Sequence, residues 1–306
     1  MAEIVGTSFV PRTELGLWTL DHAFHKEKVG FPAFGMVEVY GKPHVGKSTF
    51  VYSLSAMLGK LWDCNIALAD LEGLDQEFLI DVLNAQGFDN KLLLVQEPSD
   101  EEVTAKMLEL YASEDEKPTR IGILDSIGAI SPIQELEGDM GAANMGRRAR
   151  LMAQFSRKFT HQILGINDKI LFMTNHQHQN LGSIGTITPG GKTLEYLSGV
   201  RIFLKMVKGY PDTTDTSLGY LLEGKITKNR YGGKGANFRA FFVSGIGIHK
   251  GVSAIFDAIY LGLIDSGKVV KIGDKSYGYM KGIIEKAQAG DDKFFKPFLN
   301  LFKEKE

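Results

Sequence analysis

The string Gly-Lys-Pro-His-Val-Gly-Lys-Ser at 41–48 directly follows the short apolar run 36–40. A buried strand that turns sharply through glycines lets successive backbone N–H groups surround an anion. Residues 49–54 predict the start of a helix, whose positive N-terminal end points at the same place. The chain must therefore contain a strand–loop–helix unit, and this unit predicts a phosphate-binding loop.

The loop also predicts how a nucleotide is held. Lys47 is expected to reach the terminal phosphates, and the Ser48 hydroxyl is expected to hold Mg²⁺. The residues predicted to contact the nucleotide in this loop are Gly41, Lys42, Pro43, His44, Val45, Gly46, Lys47, Ser48 and Thr49. The loop limits the class of ligand sharply, whereas the work done with the nucleotide must be inferred from the rest of the chain.

Length and composition are those of an ordinary globular protein. The 306 residues leave room for one large domain and a smaller one, and 43% of them are hydrophobic. No apolar run is long enough to span a bilayer, and the single Cys64 excludes an internal disulfide. These features predict a cytoplasmic protein without a membrane partner, in which Cys64 fills the core. The net charge of −2 gives no support for general polyanion binding, although a local basic patch would be enough.

Short apolar runs alternate with helical stretches through most of the chain, which predicts an α/β fold with a mostly parallel sheet and helices on both faces. The predicted strands are 36–40, 65–70, 92–96, 121–125, 169–175 and 200–206. The predicted helices are 47–61, 75–86, 100–112, 145–164 and 192–198. Ligands of such sheets bind beyond the carboxyl ends of the strands.

The pattern divides the chain into three parts. Residues 1–33 predict a weakly ordered arm that could dock on another subunit, 34–245 an ATPase-like core, and 246–306 a small α+β domain. The core is expected to end in an antiparallel pair. The elements predicted in this last part of the chain are strands 218–227 and 237–243, a helix over 253–262, a two-strand ribbon over 268–278 and a final helix from near Tyr279.

Carboxylates follow two of the predicted strands. Asp125 ends an apolar strand, as a residue that binds Mg²⁺ through water would do. Glu72 follows a neighbouring strand, where a carboxylate can polarise the water that attacks a γ-phosphate. Asp75 lies close by and is predicted to contact the nucleotide as well, and it is also well placed to cap the next helix.

Two further side chains have both a functional and an ordinary interpretation. Phe78, in the first turn of the helix after Asp75, can stack on a nucleotide base or simply pack in the core. His176, after the strand that ends in Asn175, can sense the γ-phosphate or be an ordinary satisfied histidine.

The order of these motifs resembles the RecA recombinases. Strings that carry the resemblance include Ile-Leu-Asp-Ser-Ile-Gly-Ala-Ile-Ser-Pro at 123–132, Arg-Leu-Met-Ala-Gln at 150–154, and Gly190-Gly191 before a short helix. The likeness covers roughly 34–285. The Asn-His pair at 175–176, where the bacterial proteins have Asn-Gln, is more similar to phage UvsX-type recombinases.

The resemblance implies an ATPase that uses ATP and Mg²⁺, forms a homo-oligomeric filament on single-stranded DNA and exchanges strands with duplex DNA. It also implies mediator and single-strand-binding proteins as partners, and a bacterial host cytoplasm if the protein is phage-encoded. Glu72 takes the water-activating role, Phe78 the base-stacking position and His176 the phosphate-sensing position. Lys228 and Arg230 match two basic residues that reach a neighbour's ATP, although sequence alone favours solvated surface charges.

A basic stripe predicts the DNA surface. At helical spacing Arg147, Arg150 and Arg157, with Lys158, fall opposite the apolar residues of 145–163. A solvated polar face is the ordinary alternative, but no acidic residue lies between 141 and 166, which favours phosphate contact.

The resemblance assigns DNA binding to two glycine-bearing loops as well. They are Glu137–Asn144 and Gln177–Pro189, and Gly190, Gly191 and Lys192 open the helix that follows the second loop. The second loop carries no Arg or Lys, and Glu195 stands where the bacterial family has a basic residue. We therefore expect weaker or more salt-sensitive DNA binding, or reliance on Arg147, Arg150 and Arg157. Two alternatives share the ATP site: a RecA-fold helicase, and a recombination mediator that binds ATP without exchanging strands.

Overall fold

A computed structural model describes residues 11–32, 34–73, 75–113, 115–129, 147–163, 169–179, 186–188, 191–232, 235–265 and 267–303. The helices are α1 (Trp18–Asp21), α2 (Lys47–Trp62), α3 (Gln76–Ala85), α4 (Asp100–Ala112), α5 (Arg147–Ile163), α6 (Gly191–Leu197), α7 (Lys250–Tyr260), α8 (Met280–Gln288) and α9 (Asp292–Asn300). The strands are β1 (Arg12–Thr13), β2 (Phe31–Pro32), β3 (Gly35–Gly41), β4 (Asn65–Asp70), β5 (Leu92–Leu94), β6 (Thr119–Asp125), β7 (Ile170–His176), β8 (His178–Gln179), β9 (Thr186–Ile187), β10 (Val200–Tyr210), β11 (Gly219–Asn229), β12 (Asn237–Val243), β13 (Gly247–Ile248), β14 (Val269–Ile272) and β15 (Lys275–Tyr279).

One large sheet organises the described residues, with strand order β13-β12-β11-β10-β3-β7-β6-β4-β5. Neighbouring strands from β10 to β5 are parallel, whereas β10 to β13 pair antiparallel in sequence order. The α/β class with a mostly parallel central sheet is therefore confirmed. The carboxyl ends of β3, β4, β6 and β7 meet at one edge, where the predicted site residues follow them.

Helices cover both faces of the sheet because the buried strands point successive side chains in opposite directions. In β4, Ile66 and Leu68 join the core under α2 and α3, while Ala67 and Ala69 join the core under α4 and α5. Cys64 is buried in the first of these cores, as expected. Helices therefore pack against both faces of the sheet that contains β3, the strand that leads into the phosphate loop.

Most predicted elements are present with ends shifted by a few residues, but two are wrong in part. The helix expected over 253–262 starts at Lys250, because the His249 side chain accepts the Val252 N–H at 3.1 Å and caps it. The chain does not end in one helix from Tyr279. Gly290, at φ +72°, breaks that stretch into α8 and α9.

The weak order expected for the N-terminal arm is wrong for residues 11–32. Leu20, Phe24 and Phe31 are fully buried in the main core. The Asp21 carboxylate accepts backbone N–H groups from Leu15 at 3.0 Å and from the next two residues. His, Lys and Glu residues are interspersed among these buried residues, so the segment has no clean hydrophobic periodicity from which its packing could be predicted. Residues 1–10 lie outside the described part, and subunit docking by this arm stays a prediction.

The elements after β13 build a further core, which includes Val252, Ile255, Phe295 and Phe298 and continues onto Phe241 of the large sheet. The division of the chain at 245/246 therefore stays a prediction. Among the described helices, none combines the length and apolar character needed to cross a membrane.

Candidate functional site

The backbone between β3 and α2 forms the predicted loop. Gly46 has φ +84°, and a Cβ there would collide with the Tyr220 hydroxyl, so both conformation and space require glycine. Helical bonding begins with Phe50 N–H to the Gly46 carbonyl at 2.9 Å. The N–H groups of residues 47–49 thus have no partner within the helix and are suited to bind a phosphate.

Lys47 lies inside the loop and is 6% exposed. Its ammonium donates to the Lys42 carbonyl at 3.0 Å and lies 3.4 Å from His176 Nδ1. Burial lowers the pKa of Lys47, and the carboxylates of Glu72 and Asp125 oppose that shift. The structure therefore brings together two side chains that were each expected to meet the terminal phosphate.

Glu72 completes a connected group with these two residues. It accepts a hydrogen bond from the Ser126 hydroxyl, and its Oε1 lies 3.1 Å from His176 Nε2. Burial would raise the pKa of Glu72, but the hydrogen bonds from Ser126 and His176 outweigh it, and the pKa is lowered. Glu72 is therefore a carboxylate near neutral pH, as its expected role requires.

Asp125 is 3% exposed and is held on both oxygens. The Tyr52 hydroxyl donates to one oxygen and the Thr174 hydroxyl to the other. Burial and the charge of Asp125 raise the pKa of Tyr52 far above its usual value, so Tyr52 stays a donor. Ser48 shares a side-chain hydrogen bond with Tyr52. The Ser48 hydroxyl and the Asp125 carboxylate are oxygen ligands of the type that Mg²⁺ prefers, and Tyr52 joins them.

The remaining nucleotide candidates border this group. Asp75 caps α3, accepting the N–H of Glu77 at 2.9 Å and of Phe78 at 3.4 Å. Phe78 is half-buried against the core beneath α2, which leaves part of its ring accessible. Within the loop, Lys42, Pro43 and His44 are exposed, and Val45, Ser48 and Thr49 are half-buried.

Lys228 lies near the end of β11 and Arg230 directly follows the strand, and both side chains meet the carboxyl end of α6. Lys228 Nζ donates to the carbonyls of Glu195 at 2.5 Å and Tyr196 at 2.8 Å, and Arg230 also donates to Tyr196. Burial, then the charges of Arg230 and Arg201, lower the pKa of Lys228 to about 8. Both cations are thus beside the helix that follows the second predicted DNA loop.

A buried ionic group below the phosphate loop was missed by the sequence analysis. Glu38 is fully buried in β3, where it accepts from Arg201 Nε at 2.5 Å and from Asn175 Nδ2 at 2.8 Å. Burial alone would lower the pKa of Arg201, but its bonds and charge contacts with Glu38 raise it. The pair could have been predicted from the sequence, because Glu38 and Arg201 each place a charge inside a predicted apolar strand.

The basic helix α5 has the predicted two-sided character. Arg150, Arg157 and Lys158 are exposed, whereas Met152 and Phe159 are fully buried. Arg147 begins α5 and Lys192 lies in α6, but their side chains are outside the described part, as are Gly190 and the loop Glu137–Asn144. Gly191 is the first residue of α6. The ends of Gln177–Pro189 pair through β8 and β9, and residues 180–185 lie outside the described residues.

Comparison with known proteins agrees with this arrangement. A family model of the RecA N-terminal domain matches residues 10–247. Protein RecA of Helicobacter hepaticus is 30% identical over 263 residues, covering 81% of this chain and 71% of the relative. Protein RecA of Sulfurovum sp. is 30% identical, covering 86% and 72%, and that of Wolinella succinogenes is 29% identical, covering 82% and 71%.

RecA-family proteins bind ATP and DNA and act in DNA recombination and repair, which matches a phosphate loop beside a basic helix. The family match spans both the loop and the strands that carry Glu72, Asp125 and His176. The chain belongs to the RecA family.

Proposed function

We propose that this protein is an ATP-dependent recombinase that polymerises on single-stranded DNA and promotes homologous pairing and strand exchange. The observation that carries the proposal is the connected group Lys47, His176 and Glu72. It joins the phosphate loop to the end of β7, and Gln177–Pro189 begins at the next residue. A nucleotide that displaces these contacts would therefore act directly on a predicted DNA loop.

The same residues account for ATP hydrolysis. Glu72 orients the attacking water and accepts its proton, while Lys47 and His176 contact the γ-phosphate and stabilise charge as it develops. Mg²⁺, held by Ser48 and through water by Asp125, would neutralise phosphate charge when bound. Lys228 and Arg230 of a neighbouring subunit complete the site from outside, so that ATP is bound between subunits.

On this proposal, single-stranded DNA lies along the α5 surface. Arg150 and Arg157, with Arg147, contact phosphates, and Gly190, Gly191 and Lys192 add a helix N-terminus. Duplex DNA is the second substrate, and mediator and single-strand-binding proteins act on the same filament. The resemblance of the Asn175-His176 pair to UvsX-type proteins favours a phage-encoded recombinase that works in a host cytoplasm.

A second candidate is a recombination mediator that binds ATP and DNA without exchanging strands. Two features favour it: Gln177–Pro189 carries no Arg or Lys, and the Glu195 carboxylate lies 2.8 Å from Arg201 Nη1. Both features reduce positive charge where DNA is expected, and this would weaken the grip on a strand during exchange.

Filament formation and homologous pairing in one assay series separate the candidates. We expect ATP-dependent filaments on single-stranded DNA that pair with homologous duplex, and loss of pairing in Lys47→Ala. Filaments without pairing would support the mediator, and ATP-driven unwinding of a duplex would support a helicase. Pairing retained in Lys47→Ala would contradict the mechanism.

A further inference from the structure

The Arg201 side chain forms three hydrogen bonds that point in different directions. Its Nε lies 2.5 Å from Glu38 Oε2, its Nη1 2.8 Å from Glu195 Oε1, and its Nη2 3.1 Å from Thr188 Oγ1. Its Cζ also lies 4.8 Å from the centre of the Tyr40 ring. The Arg201 side chain is 10% exposed, so the guanidinium is held on nearly every side.

The partners of Arg201 belong to separate parts of the predicted machinery. Glu38 and Tyr40 lie in β3, which leads into the phosphate loop. Thr188 stands near the end of Gln177–Pro189, and Glu195 lies in α6, the helix after that loop. Through the other oxygen of Glu38, the group reaches Asn175, the residue before His176.

The three bonds differ in how easily they can be exchanged. Glu38 has no exposed side-chain surface, and a buried carboxylate that loses its cation is strongly disfavoured, so this pair should stay intact. The Glu195 side chain is 52% exposed and Thr188 is half-buried, so water can replace their bonds to Arg201 at low cost. Because the guanidinium is a rigid planar fork, a shift of β3 moves all of its donors together.

We infer that Arg201 is a positioning residue that couples nucleotide binding to DNA binding, by linking β3 and Asn175 to the base of the second DNA loop. Movement of the phosphate loop or of His176 is passed through Glu38 to Arg201, and from there to Thr188 and Glu195. The inference rests on the proposed function, because it requires DNA affinity to depend on ATP.

Two substitutions remove the exchangeable bonds and leave the buried pair in place. Thr188→Val removes one hydroxyl without changing charge, and Glu195→Ala removes one carboxylate. Arg201→Lys keeps the charge beside Glu38 but loses the fork. Thr213→Val is the matched control for Thr188→Val, because Thr213 lies in an exposed turn. Lys205→Met is a control for Arg201→Lys: Lys205 lies in the same strand as Arg201, and its ammonium pairs with Glu223.

The measurement is the affinity for a fluorescent oligo(dT), with and without a non-hydrolysable ATP analogue, alongside analogue affinity with and without DNA. In wild type, ATP and DNA must strengthen each other's binding by one common factor. We expect each of the variants Thr188→Val, Glu195→Ala and Arg201→Lys to reduce that factor at least about fivefold. The reduction should be the same for the effect of the analogue on DNA affinity and for the effect of DNA on analogue affinity. Analogue affinity without DNA should change less than about twofold, and the controls should match wild type. Adding Thr188→Val to Arg201→Lys should cause no further loss, since both remove the same bond.

Glu195→Ala also removes a negative charge and can raise DNA affinity, but this charge effect is the same with and without nucleotide, so it does not mask the expected loss of the coupling factor. An unchanged factor in Thr188→Val and Arg201→Lys, with an ATP effect in wild type, would overturn this inference alone. Parallel losses of ATP affinity, DNA affinity and melting temperature would also overturn it, because they indicate a merely structural residue. No ATP effect on wild-type DNA binding would overturn the proposed function as well.

Discussion

Tyr52 joins the two side chains that are expected to hold Mg²⁺. It donates to Asp125 and shares a hydrogen bond with Ser48, one helical turn before it on α2. A residue four positions after Ser48 faces the same side of the helix, so the spacing was visible in the sequence. Its partner Asp125 could not be deduced, because it comes from a strand more than seventy residues away.

Tyr52→Phe should therefore weaken the site without changing its shape. Loss of a donor to a buried carboxylate should lower the free energy of unfolding by about 1–2 kcal/mol. It should also raise the Mg²⁺ concentration needed for ATP binding, because Asp125 is less firmly oriented. Thermal melting and a Mg²⁺ titration with a fluorescent ATP analogue measure both effects. Tyr279→Phe is the control, since Tyr279 is 65% exposed. An unchanged Mg²⁺ requirement would contradict a role for Tyr52 in orienting Asp125 for Mg²⁺ binding.

The low pKa of Lys228 predicts a pH effect on assembly. The group is charged below its pKa of about 8 and neutral above it, and contact with a neighbour's phosphates requires the charged form. The ATP concentration needed for filaments should therefore rise as pH increases from 7 to 9.5. Lys228→Arg should flatten this dependence, because arginine stays charged throughout the range. Light scattering against ATP at each pH measures the effect. A flat wild-type profile would contradict an interfacial role for Lys228.

At the scale of elements, the N-terminal segment is fastened to α7 by a buried carboxylate. Asp257 accepts the Thr19 N–H at 3.1 Å and the Thr19 hydroxyl at 2.7 Å, and it has no exposed surface. Burial raises the pKa of Asp257 to about 7, so its ionisation opposes folding. Its contribution to stability is complete below the ordinary pKa of 3.8 and is lost as pH rises through about 7.

Asp257→Asn should remove this pH dependence, because its amide can donate to the Thr19 hydroxyl and its carbonyl oxygen can accept the N–H. Relative to the variant, wild type should lose roughly 2–4 kcal/mol of unfolding free energy between pH 4 and pH 8. Denaturant unfolding at several pH values measures the difference. Asp21, whose pKa burial raises to about 6, is present in both proteins, and its charge helps to raise the pKa of Asp257, so the difference between the two profiles includes the repulsion between these two carboxylates. Parallel profiles for the two proteins would show that Asp257 does not titrate in this range.

The parallel core was readable from the sequence because each strand is a short apolar run between helical stretches. β3, β4 and β6 fall within two residues of their predicted positions, and with them the strand ends that carry Asp70 and Asp125. The N-terminal segment was not readable, since its buried residues are fixed by contacts with distant strands rather than by local periodicity. Glu38 and Arg201 were missed for a similar reason: the burial of each charge is balanced by the opposite charge of the other, which lies 163 residues away in the sequence.

At the scale of the whole molecule, the proposed function makes the nucleotide site one half of an interface between subunits. One chain supplies Lys47, Glu72 and His176 in contact with one another, while Lys228 and Arg230 lie beside α6. On the proposed function, these two cations meet the ATP of the next subunit, so binding of ATP and growth of the filament are a single event.

Mixing two inactive variants tests this claim most directly. Lys47→Ala should be unable to use its own loop, and the double variant Lys228→Ala/Arg230→Ala should be unable to complete its neighbour's site. In a mixed filament, Lys228 and Arg230 of the first variant face the intact loop of the second. DNA-dependent ATP hydrolysis should therefore be near zero for each variant alone and return in the mixture, at up to about half of the wild-type rate if the subunits alternate. A mixture as inactive as its components, although both variants bind DNA and co-assemble, would contradict a site shared between subunits.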